Sequence, residues 1–277
     1  MENQTIIHPS AVIESGARIG SGVRIGPFCH VSADATLEDN VELVGHVSVL
    51  GATTLGAGTK VFPMATLGAP PQNAKHKGGR TTLIVGANCT IREGVTMHSG
   101  TDSSLGETIV GENGNFLAYA HIAHDCVVGT NATFANGATL GGHCEIGDNV
   151  NIGGLTAVHQ FVRIGDNAFI GGCSAVVGDV IPFAIAVGNR AKLRGLNIIG
   201  LRRSGLPRAE IHLLRRCYHT LFDHSRPVAE NIEIAKSEFS GSPTAMKIID
   251  FIGSRGKRQY TVPPLKGAAG DDGDDED

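Results

Sequence analysis

The sequence predicts a mainly β protein: a parallel β-helix of six-residue repeats over residues 1–189, a small α-helical domain over 190–266, and a disordered acidic tail over 267–277. Three observations predict it. Aliphatic residues recur at every sixth position through two thirds of the chain. Glycine supplies 38 of 277 residues while tryptophan is absent and aromatics make only 5%, so small residues and turns, rather than large rings, organise the core. The charge changes sign where the repeat stops: residues 1–189 hold 8 Lys/Arg against 15 Asp/Glu, and residues 190–266 hold 15 against 6.

Counting in sixes gives Ile7, Ile13, Ile19, Ile25, Val31, Leu37, Leu43, Val49, Leu55, Val61 and Leu67 without a miss. The same phase returns at Val85, Ile91 and Met97, and a shifted phase runs from Val110 through Ile122, Leu140 and Val158 to Val176, for 26 hexads in all. Glycine often follows the aliphatic residue (Gly20, Gly56, Gly111, Gly147), and a small residue often fills the fifth position (Ala17, Thr59, Ala132, Ala168). A short strand with one aliphatic and one small side chain turned inward, then a tight corner, suits a triangular coil of three hexads. Residues eighteen apart then stack at about 4.8 Å, the inter-strand spacing. Cys29, Cys89, Cys126 and Cys144 take the small fifth position and are expected as buried free thiols.

Two insertions, residues 68–84 and 99–109, interrupt the repeat, and loops on repeat scaffolds are where function concentrates. Beyond the last hexad, Arg208–Phe222 and Thr244–Ile252 carry helical spacing of apolar residues, with Pro207 suited to a first turn. The basic segment fits either an acidic partner or a set of solvated helix faces. The tail GAAGDDGDDED lacks the apolar content that would offset ordering entropy. No run approaches the ~18 apolar residues of a membrane span. The amino terminus lacks the basic start and apolar run of a secretion signal, which points to a cytoplasmic, reducing setting.

Histidines concentrate late in the repeat, in Ala120-His121-Ile122-Ala123-His124-Asp125-Cys126 and at His143 and His159. His124 is third in its hexad, Gly142 lies one coil above it and Gln160 two coils above, so all three share one outward corner. Asp125 stacks under His143 in the same way. A histidine suits proton removal near neutral pH, a carboxylate beside it fixes its tautomer, and a glycine amide offers an oxyanion donor. The pattern leaves catalysis, plain surface histidines and zinc binding open. A passive ice-binding ladder needs flat threonine rows, which are absent.

The hexads resemble the hexapeptide-repeat acyltransferase superfamily, which implies a left-handed parallel β-helix. AHIAHDC, LGGHCEIG, GGLTAVHQF, GGCSAVVGDV, AVGNRAKLRGLNIIGLRRSG, PPQNAK and MHSGT together resemble, over roughly residues 6–260, the acyl-carrier-protein-dependent UDP-N-acetylglucosamine O-acyltransferases that begin lipid A synthesis. The resemblance implies transfer of a 3-hydroxyacyl group from acyl carrier protein to the glucosamine 3-position. His124 matches the general base, Asp125 its support and Gly142 the oxyanion donor. Asn73, Lys75, His98, His121, His143 and Gln160 match positions near the sugar and phosphates, Asn197 and Arg203 match nucleotide contacts, and Gly172 matches the position that limits acyl length. The resemblance also implies a homotrimer with sites between subunits, no metal, and no bound cofactor, since phosphopantetheine arrives on the carrier. Nucleic acid and an integral membrane segment are not expected. Asn73, Ile199 and Ser204 depart from the family pattern, where Asp, Glu and a second Arg are common. A 3-amino sugar acceptor stays open, as does, more remotely, a hexapeptide-repeat carbonic anhydrase, whose close histidine pair is spaced His-x-x-x-x-His rather than His-x-x-His. The related N-acyltransferases carry a uridine-binding domain ahead of the helix, for which repeats starting at Ile7 leave no room.

Overall fold

A computed structural model describes residues 4–254 and 256–264; the acidic tail lies outside the described residues. Each hexad forms one parallel strand of two to four residues, from β1 (Ile6–Ile7), β2 (Val12–Ile13) and β3 (Arg18–Ile19) through to β26 (Ala175–Val176). The first three strands begin three different sheets, and every third strand returns to the same one, so the sheets are the three faces of a prism. Register partners are eighteen apart where the repeat is unbroken, as for Ile6 with Arg24. They are thirty apart across the first insertion (Thr66 with Thr96) and twenty-five across the second (Thr96 with His121). Both insertions are shorter than the sequence suggests: Thr82–Val85 and Glu107–Val110 already lie in strands, paired with each other and with Ala52–Leu55.

The six-residue period follows from what each position does. The first position is the core column, buried from Leu37 to Val176, with the Phe116 and Phe134 rings tilted against each other at 5.2 Å between centres. The small fifth position leaves room for this, and the cysteines there are buried free thiols, Cys126 Sγ–H donating to the Gly141 carbonyl at 3.2 Å. The fourth position turns the corner in the left-handed backbone region, and its occupants distinguish the corners. Between the third and first faces it is Gly22, Asn40, Gly58, Asn88, Asn113, Asn131, Asn149 and Asn167, the residues that tolerate this conformation best. Between the first and second faces it includes Phe28, Met64, Tyr119 and Leu155, which are 62 to 73% exposed. Between the second and third faces lie both insertions, Asp125, His143 and Phe161.

The upper end of the coil is closed by a hairpin and helices. β27 (Ala184–Val187) extends the first face in parallel, and β28 (Lys192–Leu196) returns antiparallel to it. Residues 192–196 are therefore strand, not the helix expected from 190 onward, because their pattern alternates: Leu193 is buried between exposed Lys192 and Arg194. Four helices follow among the described residues, α1 (Ile198–Arg203), α2 (Arg208–Leu221), α3 (Val228–Phe239) and α4 (Pro243–Gly253). The sequence shows α2 and α4 but not α1 or α3. α2 buries Ile211, Leu214, Cys217, Tyr218 and Leu221, and Ser242 caps α4 by accepting from the Ala245 N–H. Past α4 the chain returns to the coil: Asp179 N–H donates to the Gln259 carbonyl at 2.8 Å, and Thr261 N–H to the Asp179 carbonyl at 2.7 Å.

Candidate active site

The corner between the second and third faces gathers the histidines. His124 precedes the corner residue Asp125, whose left-handed backbone turns its carboxylate back onto the imidazole, so His124 Nδ1 and Asp125 Oδ2 lie 2.7 Å apart. The corner is not open to solvent as its position in the repeat suggests. His124 is only 8% exposed, because both insertions fold over it.

The second insertion builds a cradle for Asp125. The carboxylate accepts from Thr101 N–H at 2.9 Å, Thr101 Oγ1–H at 2.7 Å and, more weakly, Gly106 N–H at 3.3 Å, while Asp125 N–H donates to Thr108 Oγ1 at 2.9 Å. Burial opposes ionisation of Asp125, but the Thr101 donors, His124 and His143 outweigh it and hold its pKa below the ordinary value. An ionised carboxylate at this distance accepts a hydrogen bond from His124 Nδ1–H, which keeps the proton on Nδ1 and leaves Nε2 as the free lone pair. The first insertion brings Asn73 Nδ2 to 3.4 Å from that atom. Asp102 ties the two insertions together: its carboxylate accepts from Lys77 N–H and Gly79 N–H at 3.1 and 3.2 Å, and His76 lies 3.3 Å away.

Gly142 lies against the imidazole. A Cβ there would come within 2.6 Å of His124 Cε1 and 2.8 Å of Nε2, so only glycine lets the ring lie in place. Equivalent corner amides elsewhere are capped by carboxylates, as Ser21 N–H by Asp39 and Thr130 N–H by Asp148. The Gly142 N–H has no such cap among the described residues, which leaves a donor beside Nε2.

Three more histidines surround the pair. His143 packs edge-on to His124 with ring centres 5.0 Å apart, and its Nδ1 lies 3.7 Å from Asp125. His121 Nδ1 pairs with Thr96 Oγ1 at 2.7 Å, and His98 crosses His121 at 5.3 Å. Burial, reinforced by His98 and His124, lowers the His121 pKa to about 4. Burial also lowers His98 and His143, in each case with His124 adding to the effect. His98 Nδ1 is buried without a hydrogen-bond partner among the described residues. His124, Asp125 and His143 are close enough together to hold a cation, but both Asp125 oxygens are already engaged by Thr101, Gly106 and His124, which suits a proton relay better than a metal shell.

The structure thus brings together His124, Asp125, Gly142, Asn73, His98, His121 and His143. Lys75 lies on the same insertion, its N–H donating to Asn73 Oδ1 at 2.9 Å, and Gln160 lies exposed two coils above His124. Asn197, Arg203 and Gly172 are elsewhere in this chain. Asn197 starts α1 and donates to the Asn167 carbonyl at the third-to-first corner, and Gly172 lies at the first-to-second corner next to Gly154. The cradle of Thr101, Gly106 and Thr108 was not read from the sequence; its available signal was that the second insertion leaves the coil one turn beneath Asp125.

A coil of hexads carrying a buried histidine–carboxylate pair with a free amide at the imidazole defines a hexapeptide-repeat acyltransferase. The model of the family described as UDP-N-acetylglucosamine O-acyltransferase, domain 2, matches residues 179–260. The acyl-acyl-carrier-protein–UDP-N-acetylglucosamine O-acyltransferase of Mesorhizobium japonicum is 79% identical over 277 residues, covering 100% of this chain and 99% of that protein. Its Bartonella quintana counterpart is 56% identical over 262 residues, 95% and 96% of the two chains. The solved UDP-N-acetylglucosamine acyltransferase of Campylobacter jejuni superposes with a TM-score of 0.87 at 42% identity, covering 93% of this chain and all of that one. This chain belongs to the UDP-N-acetylglucosamine O-acyltransferase family, and its coil is the left-handed parallel β-helix of that family.

Proposed function

We infer that this enzyme transfers a 3-hydroxyacyl group from the thioester of acyl carrier protein to the 3-hydroxyl of the glucosamine in UDP-N-acetylglucosamine, the first step of lipid A synthesis. The carrying observation is the His124–Asp125 pair, whose hydrogen bond leaves Nε2 as the base. His124 Nε2 takes the proton as the sugar oxygen attacks the thioester carbonyl, Asp125 stabilises the imidazolium, and the Gly142 N–H receives the oxyanion. Collapse breaks the carbon–sulfur bond and expels the pantetheine thiolate, which takes from Nε2 the proton that came from the sugar hydroxyl. Hydroxyl rather than amine as acceptor agrees with the O-acyltransferase names of the relatives.

The relatives' names make acyl carrier protein the donor. Exposed Arg208 and Arg215 on α2 suit its acidic surface; neighbouring Arg216 is engaged by Glu238. No helix among the described residues is long and apolar enough to cross a membrane, and six free cysteines suit the cytoplasm.

A trimer is supported by two features. The exposed column Phe28, Met64, Tyr119 and Leu155 runs along one corner, the kind of apolar ridge that a partner covers. The matched residues also lie at three different corners, so a site that uses His124 with Gly172 and Asn197 is completed only across a subunit boundary.

The test is turnover of acyl carrier protein loaded with 3-hydroxyacyl chains, offered both UDP-N-acetylglucosamine and its 3-amino analogue. The hydroxyl sugar should be the better acceptor, and His124→Ala should lower kcat by ~10²–10⁴, the usual span of general-base catalysis, with the fold retained. Faster transfer to the amine, or unchanged turnover in the variant, would refute the reading.

A further inference from the structure

The chain leaving α4 crosses back to the catalytic corner and presents two cations there. Its path is fixed. Arg163 Nε donates to Asp179 Oδ2 at 2.8 Å, its Nη1 donates to Ser254 Oγ at 3.0 Å, and its guanidinium lies 4.5 Å over the Phe251 ring. Gly256 passes this ion pair so closely that a Cβ would lie 2.5 Å from both Arg163 Nε and Asp179 Oδ2. Past that point, Lys257 Nζ lies 4.2 Å over the Phe161 ring. Arg258 donates through Nε to the Gln160 carbonyl at 2.9 Å and through Nη2 to His159 Nδ1 at 2.8 Å.

We propose that Lys257 and Arg258 form an anion subsite for a phosphate ester of a substrate, and that its occupant is the phosphodiester of the donor's phosphopantetheine arm. The proposal rests on the acyl transfer inferred above. Three observations lead to it. The first is unbalanced charge. Two neighbouring cations face carboxylates, Arg163 with Asp179 and Lys247 with Asp166, whereas Lys257 and Arg258 have no carboxylate within ion-pair distance among the described residues. Their contacts are a ring face, a carbonyl and an imidazole nitrogen that accepts, which leaves both charges uncompensated.

The second observation is alignment. Phe161 stacks flat on His143, 4.4 Å between ring centres and 3° apart, and His143 packs on His124 at 5.0 Å. His124, His143, Phe161 and Lys257 therefore form one column rising from the base. The third is reach. The donor arm from thioester sulfur to phosphate is about four residue lengths, roughly 13–15 Å when extended. A thioester held at His124 places that phosphate at the upper end of the column, on the side where the helices carry the positive charge. The diphosphate of the nucleotide sugar hangs one pyranose ring from the reacting hydroxyl, too near His124 to meet Lys257.

The test compares 4′-phosphopantetheine with pantetheine as ligands of the full-length protein by calorimetry. The wild type should bind the phosphorylated form about 10–100-fold more tightly, as for a charge-assisted contact. Lys257→Gln and Arg258→Gln should erase that preference, Lys257→Arg should keep it, and Lys247→Gln should leave it unchanged. In turnover assays the two Gln variants should raise KM for acyl carrier protein and not for UDP-N-acetylglucosamine. Equal binding of the two ligands by the wild type, or a preference that survives in both Gln variants, overturns the subsite. A KM rise confined to the nucleotide sugar overturns the donor assignment. Absence of wild-type acyl transfer would instead count against the function itself.

Discussion

The His124 imidazole is positioned by its neighbours rather than by its own packing, and Gly142 is the tightest of them. Gly142→Ala would push the ring off Asp125, since the added carbon has only the imidazole to displace. We expect kcat to fall by at least ~10², comparable to losing an oxyanion donor, while the thermal midpoint stays within a few degrees of wild type. A variant with full activity would show that the ring is free to retreat. His121 supplies a second expectation. Its folded pKa is about 4 against 6.5 unfolded, so between those values the unfolded chain binds a proton that the folded chain refuses. Stability is therefore intact above about pH 6.5 and falls as the pH drops toward 4, by ~3 kcal/mol for a shift of this size. His98 and His143 act in the same sense. Urea unfolding between pH 4 and 7 should show this slope, and His121→Gln should flatten it; an equal slope in the variant would remove His121 from the account.

Among the elements, the corner turn carries the most information. At most corners its fourth position takes the left-handed backbone, which accounts for the asparagines and glycines between the third and first faces; Ser10, Asp34 and Asp179 turn the corner without it. Gly172 is different: it is a third-position residue outside the left-handed region, and its nearest would-be Cβ neighbour is the Gly154 carbonyl oxygen at 3.2 Å. Backbone freedom does not explain it, which favours its role as the end of the acyl groove. Each methylene in an apolar pocket is worth roughly 1–3 kcal/mol, so Gly172→Met should shift preference from the wild type's 3-hydroxyacyl donor toward a shorter one. Competition among mixed acyl carriers measures this, and an unchanged ranking would leave Gly172 without a part in chain selection.

At the scale of the molecule, the three corners divide the work. One is an asparagine and glycine ladder suited to water, one bears the His124–Asp125 pair under its insertions, and one carries the exposed Phe28, Met64, Tyr119 and Leu155. Full activity should therefore require a trimer. Tyr119→Glu, which places a charge where the ring is 73% exposed in the single chain, should shift sedimentation toward monomer and lower activity in parallel. A fully active monomer would refute the shared site.

The sequence by itself determined the coil. An aliphatic residue every sixth position allows only a short strand and a corner, so the strands β1 to β26, the eighteen-residue register of the unbroken runs and the stacking of His124, Gly142 and Gln160 follow from counting. It also determined α2 and α4, whose apolar spacing is regular. It did not reveal α1 or the strand Lys192–Leu196, which are short, or α3, which buries only Asn231, Ala235 and Phe239 and is held by packing on α2 and α4. The candidate histidine–carboxylate pair was legible as a motif, but not its enclosure: Asn73 reaches His124, and Thr101 and Gly106 reach Asp125, from insertions that obey no period. Nor did the sequence show that Lys257 and Arg258 return to the same corner some hundred residues later. Periodic local interactions repeat identically along the chain and can be counted, whereas contacts between distant, aperiodic segments are decided only once the coil has closed and the loops have found the surface it offers.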